Sequence, residues 1–319
     1  MMPPYILRRL AAAVLVVAAA SALTFFVLHL SPGSTPVIIL KHAFIGLEEV
    51  PNQSEIDAVT RQFNLTAPLY MQYFYWLGEA LRGNLGNSYT YGVPVSHLLL
   101  AKLPATIILA LVSTAVSLAI AIPLGVISAV KRNSAADHLC RMGALLAVSM
   151  PNFWLGLVLI ILFSLKLDLL PVSGYGGIRH IILPCITLGA SMAAVTTRIM
   201  RSSMLEVLSQ DYIVTARAKG LSEKAVVLRH ALRNALLPII TVGGLQFGHL
   251  LGGAAIVETV FAWPGIGKLL VDSILARDMP LIQGCILLIA AFYALINLLV
   301  DLFYAVLDPK ISYGRNANA

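Results

Sequence analysis

The sequence predicts an all-α transmembrane fold, and three observations carry that prediction. Of 319 residues, 59% are hydrophobic and only 12% are charged, about half the charge of an ordinary soluble domain. Mean hydropathy is +0.86. The apolar residues gather into long uncharged runs, several of them near the roughly 20 residues that cross a hydrocarbon core, while Lys and Arg sit at the junctions between runs. The net charge of +7 therefore belongs to short basic connections, not to a nucleic-acid-binding tail.

Six spans follow along the chain. The first extends from Leu10 to Leu30, after Arg8 and Arg9 and before Ser31-Pro32-Gly33. Ala18 to Ala20 would suit signal-peptide cleavage, but the apolar run exceeds the roughly 7 to 15 residues of a signal core, so it is expected to stay as a span. The second follows Lys102 and Pro104 and reaches Val130; the third covers Leu145 to Leu165. The fourth starts near Ile181 and ends between Arg198 and Met204, and it is the weakest because Arg198 shortens its uncharged core. The fifth covers Leu236 to Val257 and the sixth Leu281 to Val300. With the N-terminus inside, fourteen of the 22 Lys and Arg residues fall on the cytoplasmic side and eight outside. That asymmetry predicts two cytoplasmic termini.

The connections are unequal. Ser31 to Ala101 is an external loop long enough to hold structure. Ser54 to Phe63 has helical spacing with Ser54 as the expected cap, and the aromatic stretch Tyr70 to Leu81 suits a helix in the outer interface. Asp168 to Ile178, with Pro171 and three glycines, is a short outer turn; Phe261 to Gly265 interrupts an apolar segment. Cys140, Cys185 and Cys285 form no metal or disulfide pattern and read as small buried hydrophobes.

The most pointed segment is cytoplasmic, from Glu206 to Pro238. Tyr212 to Lys219 favours a short helix with Ile213 and Ala216 on one face. Ala216, Ala218 and Gly220 are small enough for a partner backbone to come close. Gly220 would turn the chain toward a second helix starting near Ser222, and Leu228, Leu232 and Leu236 give that helix an apolar stripe. Composition alone reads this as a basic connection or a docking helix pair.

Tyr212, Ala216, Arg217, Ala218, Lys219, Gly220 and Leu221, followed by His230, Arg233, Asn234, Leu237 and Pro238, resemble the coupling motif of bacterial ATP-binding-cassette importer permeases. The resemblance is to the dipeptide/oligopeptide/nickel family. It extends through Ile6 to Arg9, Pro68 to Tyr73, Gly83 to Gly86, Leu103 to Thr106, Ser149 to Trp154, Leu183-Pro184, Glu258 to Gly265 and Asp308 to Lys310. Ser34 and Asn84 stand where that family usually carries acidic residues, and Thr215-Ala-Arg217 replaces the general glutamate-alanine-alanine pattern.

The resemblance implies a six-helix type I importer permease fold with lateral helices in the first external loop and a cytoplasmic coupling helix. Its divisions would be residues 1–30, the loop 31–101, a permease core 102–310 containing a coupling segment 206–235, and a tail 311–319. Implied partners are a second homologous permease, two ATPase subunits that bind ATP and Mg, and a solute-binding protein outside the inner membrane. No cofactor is expected in this chain.

The residues themselves offer no phosphate-binding G-x-x-x-x-G-K-[ST] loop, no HExxH and no nucleophile–base arrangement. Gly176-Gly177, Gly243-Gly244 and Gly252-Gly253 are better explained by close helix packing than by phosphate binding. Gln246, His249 and Glu258 are candidates for a polar translocation path, since ionisable groups at membrane depth are costly and tend to be functional. The expected cargo is a dipeptide or oligopeptide. Nickel or a metal chelate is the alternative, suggested by Gly174 to Gly177 and His180 to Pro184. An intramembrane enzyme and a non-catalytic scaffold are the readings from other classes.

Overall fold

The structure, a computed structural model, describes residues 2–30, 37, 40, 52–62 and 66–307. The expected stop at Ser31 to Gly33, Ser34, Lys41, His42, Asp308 to Lys310 and the tail 311–319 lie outside the described residues. All regular elements among the described residues are helical: α1 (Met2–Leu30), α2 (Gln53–Gln62), α3 (Leu69–Leu81), α4 (Val95–Val130), α5 (Ala135–Ser149) and α6 (Asn152–Leu159). They continue with α7 (Ile178–Leu208), α8 (Asp211–Ala218), α9 (Glu223–Ala225), α10 (Leu232–Gly253), α11 (Ala255–Val260), α12 (Ile266–Leu275) and α13 (Met279–Leu307). Two π-helical segments, Ile160–Lys166 and Val226–Ala231, extend α6 and join α9 to α10.

Among the described residues, five stretches are long and apolar enough to cross a membrane, and α5 with α6 makes a sixth if their bent pair counts as one span. The third expected span is therefore corrected. A bend of 104° separates α5 from α6, because Met150 is extended (φ −86°, ψ 126°) ahead of Pro151. A proline disfavours helical backbone in the residue before it. The fourth span, expected to end near Arg198 to Met204, continues as one helix to Leu208. The fifth breaks at Ala254 before the short α11.

Two compact units divide the chain, one of residues 1–105 with 265–295 and one of residues 106–264 with 296–319. In the first, α3 is pinned to α1. Tyr73 is buried, its hydroxyl lies 2.9 Å from Ser21 Oγ, and its ring meets Phe25 edge-on at 5.4 Å. The cap of α2 falls on Asn52, not on the expected Ser54. Asn52 Oδ1 accepts from Glu55 N, and Glu55 Oε2 accepts from Asn52 N, a reciprocal capping box. At the end of α3, Glu79 is hydrogen-bonded by Asn84 and Arg82, which hold its carboxyl below the usual range. The loop from Ser88 to Thr90 is tied to the start of α13 through the buried Asp278 carboxylate. Asp278 Oδ2 accepts from Ser88 Oγ at 2.5 Å and Thr90 N at 2.9 Å, and Oδ1 caps α13 at Leu281 N.

In the second unit, α7 packs against α5, α6 and α10. Close approach is allowed by glycines: a Cβ at Gly189 would lie 3.1 Å from Ser113 O, and one at Gly244 2.5 Å from Val300 Cγ2. Gly176 and Gly177 do not serve helix packing as expected. They have φ of 156° and 133° and shape the outer turn. That turn is docked on the 261–265 break, with Gly174 N donating to Phe261 O at 2.8 Å and Tyr175 edge-on to Trp263 at 4.8 Å.

Candidate functional site

The segment after α7 folds into a hairpin. Gln210 leads into α8, which stops at Lys219. Gly220 then takes φ 79°, a left-handed conformation costly for residues with a Cβ, while its N–H donates to Arg217 O at 2.9 Å. Ser222 Oγ caps α9 through Ala225 N. Helix, glycine turn and second helix thus lie where the sequence puts them.

The hairpin's inner face is apolar. Ile213 and Ala216 pack into one buried cluster with Met200 and Met204 of α7, Val226, Val227 and Ala231 of the π-helical segment, and Ala235 and Ile239 of α10. Ala216 is 7% exposed, so it faces its own chain and is not the contact a partner backbone would approach. The outward face carries Tyr212, Val214, Arg217, Ala218, Lys219, Gly220 and Leu221, all exposed. Asn234 Nδ2 donates to Tyr212 Oη at 2.7 Å, and Arg217 pairs with Glu223 at 2.6 Å on the surface. α8 rests mainly on the π-helical segment Val226–Ala231, inside a buried cluster that also takes in residues of α7 and α10.

The three path candidates sit in different surroundings. Gln246 is half-buried, accepting from Thr196 Oγ1 at 3.0 Å and donating to Met192 O. His249 is exposed. Glu258 is 0% exposed, and its Oε1 accepts from Thr106 Oγ1 at 2.8 Å. It therefore braces the interior of the chain, as buried carboxylates require partners. Among the described residues, no three His, Cys, Asp or Glu side chains come together to hold a metal ion.

Sequence reasoning missed the strongest polar junction. Asp137 is fully buried and receives both Nε and Nη2 of Arg201 at 2.8 Å, Ser128 Oγ at 2.6 Å and Asn133 N at 2.9 Å. It joins the end of α4, the following turn, α5 and α7. Ser134 three residues before Asp137 is a cap signature, and Ser134 does cap α5. That signal was legible; the distant Arg201 partner was not.

Comparison with known proteins defines the class. Residues 121–313 match the family described as binding-protein-dependent transport system inner membrane component. The chain belongs to that family and is a permease subunit, which is non-catalytic. It is 39% identical to the oligopeptide transport system permease protein AppB of Bacillus subtilis (strain 168), over 98% of this chain and 100% of the relative. It is 42% identical to the glutathione transport system permease protein GsiC of Escherichia coli (strain K12), over 97% and 99%. It is also 42% identical to the di/tripeptide transport system permease protein DppB of Pseudomonas aeruginosa (strain UCBPP-PA14), over 98% and 99%. A chain of the inward-facing MetNI methionine ABC transporter shares the fold at TM-score 0.54 and 20% identity, covering 66% of this chain and 96% of its own.

Proposed function

We propose that this chain is a membrane-spanning half of a peptide importer, carrying dipeptides, oligopeptides or small peptide thiols inward, driven by ATPase subunits docked on α8. The observation that carries the peptide reading is full-length likeness to three permeases whose names are oligopeptide, glutathione and di/tripeptide. The coupling reading rests on the hairpin: an exposed small and basic face at Arg217 to Leu221, backed by a buried cluster that reaches α7 and α10. A second permease completes the pathway, a solute-binding protein delivers cargo from outside, and both chain termini lie in the cytoplasm. Gln246 and His249 are the path residues that remain reachable, while Glu258 supports the wall from within.

The test separates docking from folding. In reconstituted transporter, Ala218→Trp adds bulk on the exposed face, whereas Ala216→Leu disturbs the buried one. Ala218→Trp should leave the permease's thermal midpoint unchanged and abolish stimulation of ATP hydrolysis by loaded receptor. Full coupling in Ala218→Trp would overturn the assignment. Uptake of labelled dipeptide against nickel ion in the same vesicles tests the cargo: nickel uptake without peptide uptake would reject the peptide reading.

A further inference from the structure

The first compact unit contains a cavity of about 560 Å³, which lies within the usual size range of small-molecule sites. Its walls come from the end of α1 (Phe25, His29), from α3 (Met71, Tyr75, Trp76, Glu79), from the loop at residues 84–89 and from the first turns of α13. One wall is fixed, because Asp278 holds both Ser88 and the start of α13. This cavity is no part of the coupling hairpin or of the Gln246 region.

Two polar groups in its lining lack partners. Gln283 is 5% exposed, yet its amide makes no hydrogen bond among the described residues. The Trp76 Nε1–H is buried without an acceptor. Leaving the buried Trp76 donor unpaired is unfavourable by more than a typical hydrogen bond is worth, and the Gln283 amide lines the same cavity, so a ligand bearing acceptor oxygens would be stabilised here. Glu79 supplies a carboxylate with two of its lone-pair positions taken, by Arg82 and Asn84, and about four in total. Among the described residues, no Lys or Arg lines the cavity. At its rim Met71 and Tyr75 are exposed, Tyr75 to 76%, and they continue into exposed Tyr70 and Phe74 on α3. Tyr and Trp on such a face suit the level of lipid headgroups, and their rings attract an ammonium.

We propose that this cavity is a binding site for an amine-headed zwitterionic phospholipid, of the phosphatidylethanolamine type. Gln283 and, after a small ring movement, Trp76 donate to the phosphate or ester oxygens. The ammonium lies between Glu79 and the aromatic rings, and the acyl chains leave over Met71 and Tyr75. An anionic headgroup would meet the Glu79 carboxylate, whose partner Arg82 is not among the described residues that line the cavity. The bound lipid would fasten the lateral helix α3 to the end of α1, whichever solute the transporter carries.

Native mass spectrometry of the delipidated, assembled transporter, titrated with phosphatidylethanolamine, phosphatidylglycerol and water-soluble glycerophosphoethanolamine, tests this. The expected result is retention of phosphatidylethanolamine, with roughly tenfold weaker retention of phosphatidylglycerol and of the parent lipid by Gln283→Leu. Trp76→Phe, which keeps the ring and deletes only the donor, should weaken retention in the same direction without lowering the thermal midpoint. Equal retention of phosphatidylglycerol overturns the headgroup assignment. Equal binding of the soluble headgroup overturns the membrane source. Displacement of the lipid by a dipeptide at the same variants assigns the cavity to cargo and rejects the proposal.

Discussion

Single residues decide how closely these helices approach, and two glycines make opposite predictions. A Cβ at Gly244 would meet only the side chain of Val300, at 2.5 Å. Overpacking of this kind costs about 1–3 kcal/mol, so Gly244→Ala should lower the thermal midpoint, and the added change Val300→Ala should restore it. At Gly125 the new atom would meet Met200 Cβ at 2.6 Å and the main-chain oxygen of Thr197 at 3.1 Å. Trimming Met200 to alanine leaves both obstacles, so Gly125→Ala should be destabilising with no rescue. Unfolding of the four single and two double variants in one detergent checks the pair; rescue at Gly125 would contradict the packing described. The sequence marked Gly243-Gly244 as a packing site, and Gly244 is one. It gave Gly176-Gly177 the same role, although their neighbours Gly174 and Pro171 already pointed to a turn with positive φ.

Elements were legible where local chemistry determines them. The hairpin from Tyr212 onward could be read because capping serine, turn glycine and apolar spacing are all within a few residues of one another. Its orientation was not legible, since Ala216 and Ala218 are chemically alike and only packing on Met200 and Met204 tells them apart. The break at Met150-Pro151 was carried in plain view by the proline, but hydropathy runs across it without a change. The hairpin also makes a prediction of its own. Ile213→Ala removes a fully buried side chain from the cluster and should cost about 2–5 kcal/mol, loosening α8 from α7. Its signature is ATPase subunits still bound but receptor stimulation lost, read by co-purification beside hydrolysis. Unaltered stimulation would mean that α8 does not transmit through this cluster.

Across the whole chain, hydropathy and basic residues predict span number and sidedness, while the polar bonds that close each unit have no such signature in the sequence. Asp137 meets Arg201 across 64 positions and Ser88 meets Asp278 across 190, and no periodicity reports such pairs. Sidedness is directly testable with Asn52→Cys and Ser222→Cys in a chain whose native cysteines have been replaced. An impermeant thiol reagent applied to intact cells or spheroplasts should label position 52, and position 222 only after the membrane is opened. Labelling of both from the same side would reject the six-span arrangement.

The bond between Ser88 and Asp278 also sets a schedule for synthesis. Residues 106–264 supply most of their unit from one uninterrupted stretch, so that unit can begin packing as it leaves the ribosome. The other unit waits: the loop bearing Ser88 must remain without its carboxylate until 190 further residues have been added. At about 5–20 residues per second, that interval is roughly 10–40 s. During it, a serine hydroxyl and a main-chain N–H that finally share one acceptor have water instead. A ribosome stalled shortly before codon 278 would therefore display the 84–94 loop without the carboxylate that ties Ser88 and Thr90 in the finished chain.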